Sequence, residues 1–287
     1  MKPVANVLRD IGNALSFNGR LPLAQSLLRR AFRDAVGRHS IHDFDGDLQI
    51  DLRLSDHMQR RIFWMGYYSR EVVALLDKLV QPGMVVLDVG ANIGEISLVC
   101  AKRVGRAGSV ISFEPMEEIA DALQQNIDRN RLEQVTVVRA GLSDKAATGV
   151  PIYASCGQGA RGDEHSGLGS LYGVSKDAPA QFIEVTTLDA YLAQSPVAKV
   201  DLIKVDIEGA ELPFLRGAEQ TLRRYRPRLI VEVQDKSAAA AGYAASDILD
   251  YLSGLGYAFE RIMRNGRLTP LTVPGLSEYQ NVLCTPA

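Results

Sequence analysis

Five short apolar runs, continuous rather than alternating, recur between residues 84 and 231, with helix-like stretches between most of them. MVVL (84–87) precedes a stretch with Ile96, Val99, Cys100 and Val104 at helical spacing, and VISF (110–113) one with Ile119, Leu123 and Ile127. VTVV (135–138) is the third run. VDLI (200–203) leads to Leu215, Ala218 and Leu222, and LIV (229–231) to Ile248, Leu249 and Leu252. A strand that is apolar on both faces needs cover on both, and helices between parallel strands supply it. The pattern predicts a doubly wound, mostly parallel α/β sheet, closed by two further strands at 257–262 and 281–284.

The flanking segments read differently. Val4, Leu8, Ile11 and Leu15 repeat at helical spacing, and Leu28, Phe32 and Ala35 continue the theme beside Arg29, Arg30 and Arg33, which could touch a membrane or partner but read better as a solvated face on a packing helix. Residues 48–54 alternate apolar and polar behind Asp45-Gly46, a hairpin signal. Asp43, Asp45 and Asp47 lack the Gly and Glu spacing of a calcium loop, so turn chemistry explains them better. Val72, Leu75, Leu76, Leu79 and Val80 share one helical face that Pro82-Gly83 ends. The expected division is therefore an N-terminal helical and hairpin extension over 1–80 and an α/β domain over 81–287. A Gly-rich insertion at about 145–185 interrupts the latter and reads as a lid over the ligand-binding edge.

Charge narrows the function classes. The 287 residues carry 32 Lys+Arg against 34 Asp+Glu, a net charge of −2, so the basic excess that accompanies nucleic-acid binding is missing and no nucleic-acid partner is expected. No apolar run reaches the roughly 20 residues of a membrane-spanning helix, and Arg9, Asp10 and Asn13 break any signal-peptide core. Cys100, Cys156 and Cys284 have no zinc-ligand or disulfide-framework spacing. The expectation is a cytoplasmic protein with no bound metal and a small-molecule or glycan partner. Copies could associate through the N-terminal helices.

Four motifs fall at the carboxyl ends of the predicted strands, where ligands bind in such sheets. Asp88-Val89-Gly90-Ala91-Asn92-Ile93-Gly94 forms a tight strand-to-helix turn that lets backbone approach a ligand, with Asp88 free to meet an ammonium group or hold the loop in shape. It departs from the dinucleotide fingerprint, because Asn92 stands at the middle glycine and the third glycine is missing. Glu114 ends the second strand, where an acidic residue accepts both hydroxyls of a ribose. Gly141-Leu142, after the third strand, offers an adenine shelf. Lys204, Asp206 and Glu208 alternate onto one side at the end of the fourth strand, where charge is costly unless paired or used; Glu232 is a candidate ion partner for Lys204.

Taken together, VVLDVGANIG, ISFEP, AGLSD, GLGSL, VTTLDAYL, DLIKVDIEGAELPFLRGA and RPRLIVEV, in that order, resemble the FkbM-type family of class I S-adenosylmethionine (SAM) dependent methyltransferases. The resemblance spans roughly residues 60–262. It departs at Gly167-Leu168-Gly169-Ser170-Leu171, where the family often has two adjacent serines. It implies a seven-stranded Rossmann-like sheet whose last strand is antiparallel. Gly90, Ala91, Asn92 and Gly94 would line the methionine part of SAM, Glu114 the ribose, and Gly141 with Leu142 the adenine. Asp206 would lie near the methyl group. The implied reaction is O-methylation of a hydroxyl on a sugar, glycan or secondary metabolite.

A sugar hydroxyl is a poor nucleophile, so a base should take its proton as the methyl moves, an effect typically worth ~10²–10⁴-fold. Asp206 and Glu208 are the candidates, with His165 from the Gly-rich loop in reserve. Trp64, Tyr67 and Tyr68 could stack on a sugar or simply pack. A nicotinamide-dependent oxidoreductase, a nucleic-acid methyltransferase and a non-catalytic scaffold share parts of this pattern and stand as alternatives.

Overall fold

The computed structural model describes residues 4–15, 37–154, 169–172, 179–272 and 275–287. These fall into two compact units, one ending at Ser69 and one beginning at Arg70.

The first unit holds helix α1 (Val4–Leu15), a hairpin of β1 (Arg38–Phe44) and β2 (Leu48–Arg53), and α2 (His57–Met65). Asp45 and Gly46 turn the hairpin with φ of +48° and +96°, the left-handed conformation that Asp-Gly accepts readily. Helix α1 does not bury the expected stripe: Val4 and Ile11 are exposed, whereas Ala5 and Arg9 are buried. Arg9 donates to the Phe63 carbonyl (2.6 Å) and to Asp43 (2.7 Å), so hydrogen bonds to charged or backbone acceptors set which face turns inward. Trp64 is buried edge-on against Phe63. Tyr67 donates to Asp45 (2.6 Å), and Tyr68 lies edge-on to His57 and beneath Arg61. The three aromatics thus pack within this unit.

The second unit opens with α3 (Arg70–Leu79) and then follows the repeating pattern. Its elements are β3 (Val85–Val89), α4 (Glu95–Val104), β4 (Ser109–Phe113), α5 (Glu117–Arg129) and β5 (Val135–Val138). Later come α6 (Leu188–Gln194), β10 (Leu202–Val205), α7 (Glu211–Gly217), α8 (Glu219–Tyr225), β11 (Arg228–Gln234), α9 (Asp235–Ala240) and α10 (Ala245–Gly254), and the unit closes with β12 (Tyr257–Met263), β13 (Arg267–Pro270) and β14 (Tyr279–Pro286). The main sheet runs β13-β12-β14-β11-β10-β3-β4-β5. From β5 to β11 neighbouring strands are parallel; β14 is antiparallel to both β11 and β12. The doubly wound expectation therefore holds, with one strand more than seven: a turn at Arg264–Gly266 folds β13 back onto the edge strand β12.

Two local expectations shift. The fourth strand covers residues 202–205 rather than 200–203, which places Lys204 in mid-sheet, while the Asp201 carboxylate takes the Val85 amide (2.7 Å). A second sheet spans the Gly-rich interruption from Gly141 to Thr186, made of β6 (Gly141–Leu142), β9 (Gln181–Thr186), β7 (Ala147–Ala154) and β8 (Gly169–Ser170), in that order. Buried Ile152, Ile183 and Val185 give it a small core.

Candidate active site

The site lies at the carboxyl ends of β3, β4, β10 and β11. Gly90, at φ +78°, passes so close to β10 that a Cβ would stand 2.0 Å from the Asp206 carbonyl oxygen; only glycine fits. Asn92, also left-handed at +49°, donates its amide to Glu114 (3.0 Å), and its side-chain oxygen takes the Ile93 amide (2.7 Å). Loop amides that a pyrophosphate would need are thus already engaged by the chain's own oxygens, which disfavours a dinucleotide. Gly94, at +102°, starts α4, and a Cβ there would stand 2.7 Å from the Leu123 Cδ1 methyl.

Asp88 is fully buried. One carboxylate oxygen accepts from Ser97 (2.6 Å), and the other has no hydrogen bond among the described residues and faces the Lys204 ammonium at 3.7 Å. Asp88 therefore holds the loop and the strand end together. Burial raises its pKa, opposed by Lys204 and Ser97. Lys204 also pairs with Asp206 (3.3 Å) and donates to the Gly90 carbonyl (3.2 Å). Burial disfavours its charge, but Asp206, Asp88 and Glu232 outweigh that and raise its pKa. The Lys204–Glu232 ion pair expected from the sequence does not form: Lys204 pairs with Asp88 and Asp206, and Glu232 adds only a longer-range charge.

Glu114 is almost fully buried and accepts from the amides of Asn92 and Met116, both at 3.0 Å. Burial pushes its pKa up to about 7 against those hydrogen bonds. Gly141 and Leu142 form β6, paired parallel to β9, and Leu142 is buried in the main core.

Glu208 does not reach the site by strand alternation, because β10 ends at Val205; a left-handed turn at Glu208 and Gly209 brings it there. Asp206, Glu208 and Glu232 each present an oxygen within 4.8 Å of the others, a spacing that a cation could bridge. Burial and the Asp206 charge raise Glu208 to about 7, opposed by a hydrogen bond from Ser237. Burial, then Asp206 and Glu208, raise Glu232 well above the carboxylate range. Three residues around this loop escaped the sequence reading, Glu211, Ser237 and Tyr243, and Ser170, noted only as a lone serine, also reaches it. Glu211 carried a faint signal as an acidic residue directly after a glycine turn, and Tyr243 carried none. His165 lies outside the described residues.

The chemistry of these groups suits SAM. Glu114 offers acceptors for a diol. The Asp206 side chain, 31% exposed and set among further carboxylates, offers countercharge to a sulfonium and an ammonium, and Gly90 leaves backbone alone at the loop surface.

Comparisons with known proteins agree. The family model of the methyltransferase FkbM domain matches residues 88–259, more than half of the chain. AmbE, the AMB antimetabolite synthetase of Pseudomonas aeruginosa, is 29% identical over 72% of this chain, which spans 11% of AmbE. The hexuronic acid methyltransferase AglP of Haloferax volcanii is 28% identical, with 64% of this chain and 68% of AglP covered. The 2-O-methyltransferase NoeI of Sinorhizobium fredii is 28% identical over 64% of this chain and 75% of NoeI. These matches set the nicotinamide alternative aside, and with the folded site they place the chain in the FkbM family of SAM-dependent methyltransferases.

Proposed function

We propose that the protein methylates a hydroxyl oxygen on a sugar, glycan or secondary metabolite, with Glu208 as the base. The observation that carries this is the placement of Glu208, a mostly buried carboxylate with its pKa raised to about 7, beside Asp206 where the strands end. A base whose pKa lies near the working pH combines a usable ionised fraction with a strong pull on the proton. The name of AglP supports a sugar-acid acceptor, and that of NoeI supports methylation on oxygen.

In this assignment Gly90, Ala91, Asn92 and Gly94 hold the methionine part of SAM, Glu114 the ribose diol, and Gly141 with Leu142 border the adenine. When bound, SAM supplies a methyl group already activated on a sulfonium. The chain's own tasks are alignment, exclusion of water and proton removal. Alignment alone can supply about 7–11 kcal/mol. Asp206, paired to Lys204, would provide negative charge opposite the cation, while Glu208 would accept the hydroxyl proton as the acceptor oxygen bonds to the methyl carbon and the carbon–sulfur bond breaks to leave a neutral thioether. Lys204 already offsets part of the carboxylate charge, so the assignment includes no metal. Among the described residues no helix is long and apolar enough to cross a membrane. Buried Cys100 and Cys284 are compatible with a cytoplasmic setting, and exposed Val4, Val7 and Ile11 on α1 favour self-association, which sedimentation would test.

The test is incubation with methyl-labelled SAM and a panel of neutral, amino- and uronic-acid glycosides together with cell extracts, read by mass spectrometry. Label on an oxygen, formed much more slowly by Glu208→Gln, is the expected result. Binding of SAM with no transfer to any acceptor would favour the scaffold instead.

A further inference from the structure

The Glu208–Gly209 turn is held by more side chains than closing a loop requires. Both residues are left-handed, at φ +49° and +99°, and a non-glycine residue there is strained by roughly 1–2 kcal/mol. Side chains from four segments converge on its polar groups. Ser170 on β8 donates to the Glu208 carbonyl (2.9 Å), and Ser237 on α9 donates to the Glu208 carboxylate (3.1 Å). The Gly209 amide donates to Glu211 at the start of α7 (3.0 Å), which also takes the Ile207 amide (3.1 Å). Tyr243, between α9 and α10, donates to the Gly209 carbonyl (2.9 Å), and its hydroxyl lies 3.1 Å from the Glu211 carboxylate. A Cβ on Gly209 would stand 2.6 Å from the Ser237 carbonyl oxygen, so the turn has no freedom to slide toward α9.

A left-handed position needing only shape would take Gly or Asn, which adopt it at lower cost. Glu at that position, with its backbone clamped before and after, matches a turn whose purpose is to aim a carboxylate. Glu211 is itself buried, and burial raises its pKa against the backbone donors, so the chain spends a poorly solvated carboxylate on this one turn.

We propose that Glu211 and Tyr243 are positioning residues that fix the Glu208 carboxylate for proton transfer, and that they act through Glu208 rather than on cofactor binding. The proposal rests on Glu208 being the base. Displacing a reacting group by about 1 Å can cost on the order of 100-fold, so Tyr243→Phe and Glu211→Gln should lower kcat by about 10- to 100-fold.

The experiment is a double-mutant cycle on the full chain. Tyr243→Phe and Glu211→Gln are each measured alone and with Glu208→Gln, using the glycoside that turns over fastest in the labelled panel. The expected result is a lower kcat in each single variant, with affinity for S-adenosylhomocysteine by calorimetry within about twofold of the parent, and no further loss when either is added to Glu208→Gln. An acceptor-free readout runs beside it: in glutamate-labelled protein, the ¹³C carboxyl resonance missing from Glu208→Gln should titrate at a different pH in Tyr243→Phe. Ser170→Ala, which frees the Glu208 carbonyl, should give the same pattern if Tyr243→Phe folds poorly. Parental kcat with an unmoved resonance, losses that multiply in the double variants, or a cofactor affinity that falls in step with kcat would each overturn the proposal. Failure of the underlying base assignment is separate and shows as full turnover by Glu208→Gln.

Discussion

Replacing Gly90 with alanine tests the close approach on which the site is built. Two effects add. At φ +78° an alanine is strained by about 1–2 kcal/mol. Its Cβ would also stand 2.0 Å from the Asp206 carbonyl oxygen, 3.0 Å from the Asp206 carbonyl carbon and 3.0 Å from Ile207 Cγ2. Ordinary carbon–oxygen approach is about 3.3 Å, so the backbone must part by about 1 Å. That movement pulls on the hydrogen bond from the Asp206 amide to the Val89 carbonyl (3.1 Å), where β3 and β10 end together. Overpacking of this kind costs about 1–3 kcal/mol, giving a total of about 2–5 kcal/mol. Gly83 supplies the control: it has φ +83° but nothing within 4 Å of where a Cβ would stand, so Gly83→Ala should cost about 1–2 kcal/mol from backbone strain alone. At about 2–4 °C per kcal/mol, Gly90→Ala should melt several degrees below Gly83→Ala. It should also lose calorimetric affinity for S-adenosylhomocysteine, which Gly83→Ala keeps. Equal melting temperatures with equal affinities would refute the close-approach reasoning.

Glu208→Gln should lower kcat by about 10²–10⁴-fold while leaving cofactor affinity near the parent value, as measured by steady-state kinetics beside calorimetry. In the parent enzyme kcat/KM should rise with pH through about 7, since Glu208 must be ionised to accept a proton. Glu114, also raised to about 7, contributes to the same limb, and the part that Glu208→Gln abolishes identifies Glu208. Stability should move the opposite way. A carboxyl whose folded pKa lies above its unfolded value binds more protons when folded, so its contribution to stability falls as pH rises from about 4.5 to about 7. Glu208→Gln removes that loss and should raise the melting temperature of the cofactor-free protein above pH 7, by up to about 3 kcal/mol equivalent and least below pH 5. A chelator should leave turnover unchanged; a tenfold loss restored by a divalent ion would instead assign Asp206, Glu208 and Glu232 to that ion.

Much of the glycine-loop side of the candidate site was legible because its information is local. The run from Val85 to Gly94 contains its own strand, its turn glycines and its helix start, and Glu114 follows at the end of the next strand. Continuous apolar runs with intervening helices admit little besides a covered parallel sheet. The small second sheet was less visible, since β7 and β9 are separated by a Gly-rich stretch and their alternation is short.

The chain itself therefore determined the sheet, the glycine loop, Glu114 and the presence of charge at residues 204–208. Tertiary structure alone decided what that charge does. Ser170, Ser237 and Tyr243 reach the Glu208–Gly209 turn from 38, 29 and 34 residues away, distances over which no periodicity or spacing rule operates. The same holds for Lys204, whose bond to Gly90 crosses 114 residues. Local propensity sets backbone conformation within a few residues, whereas the ionisation and aim of a buried carboxylate depend on which distant groups packing brings against it.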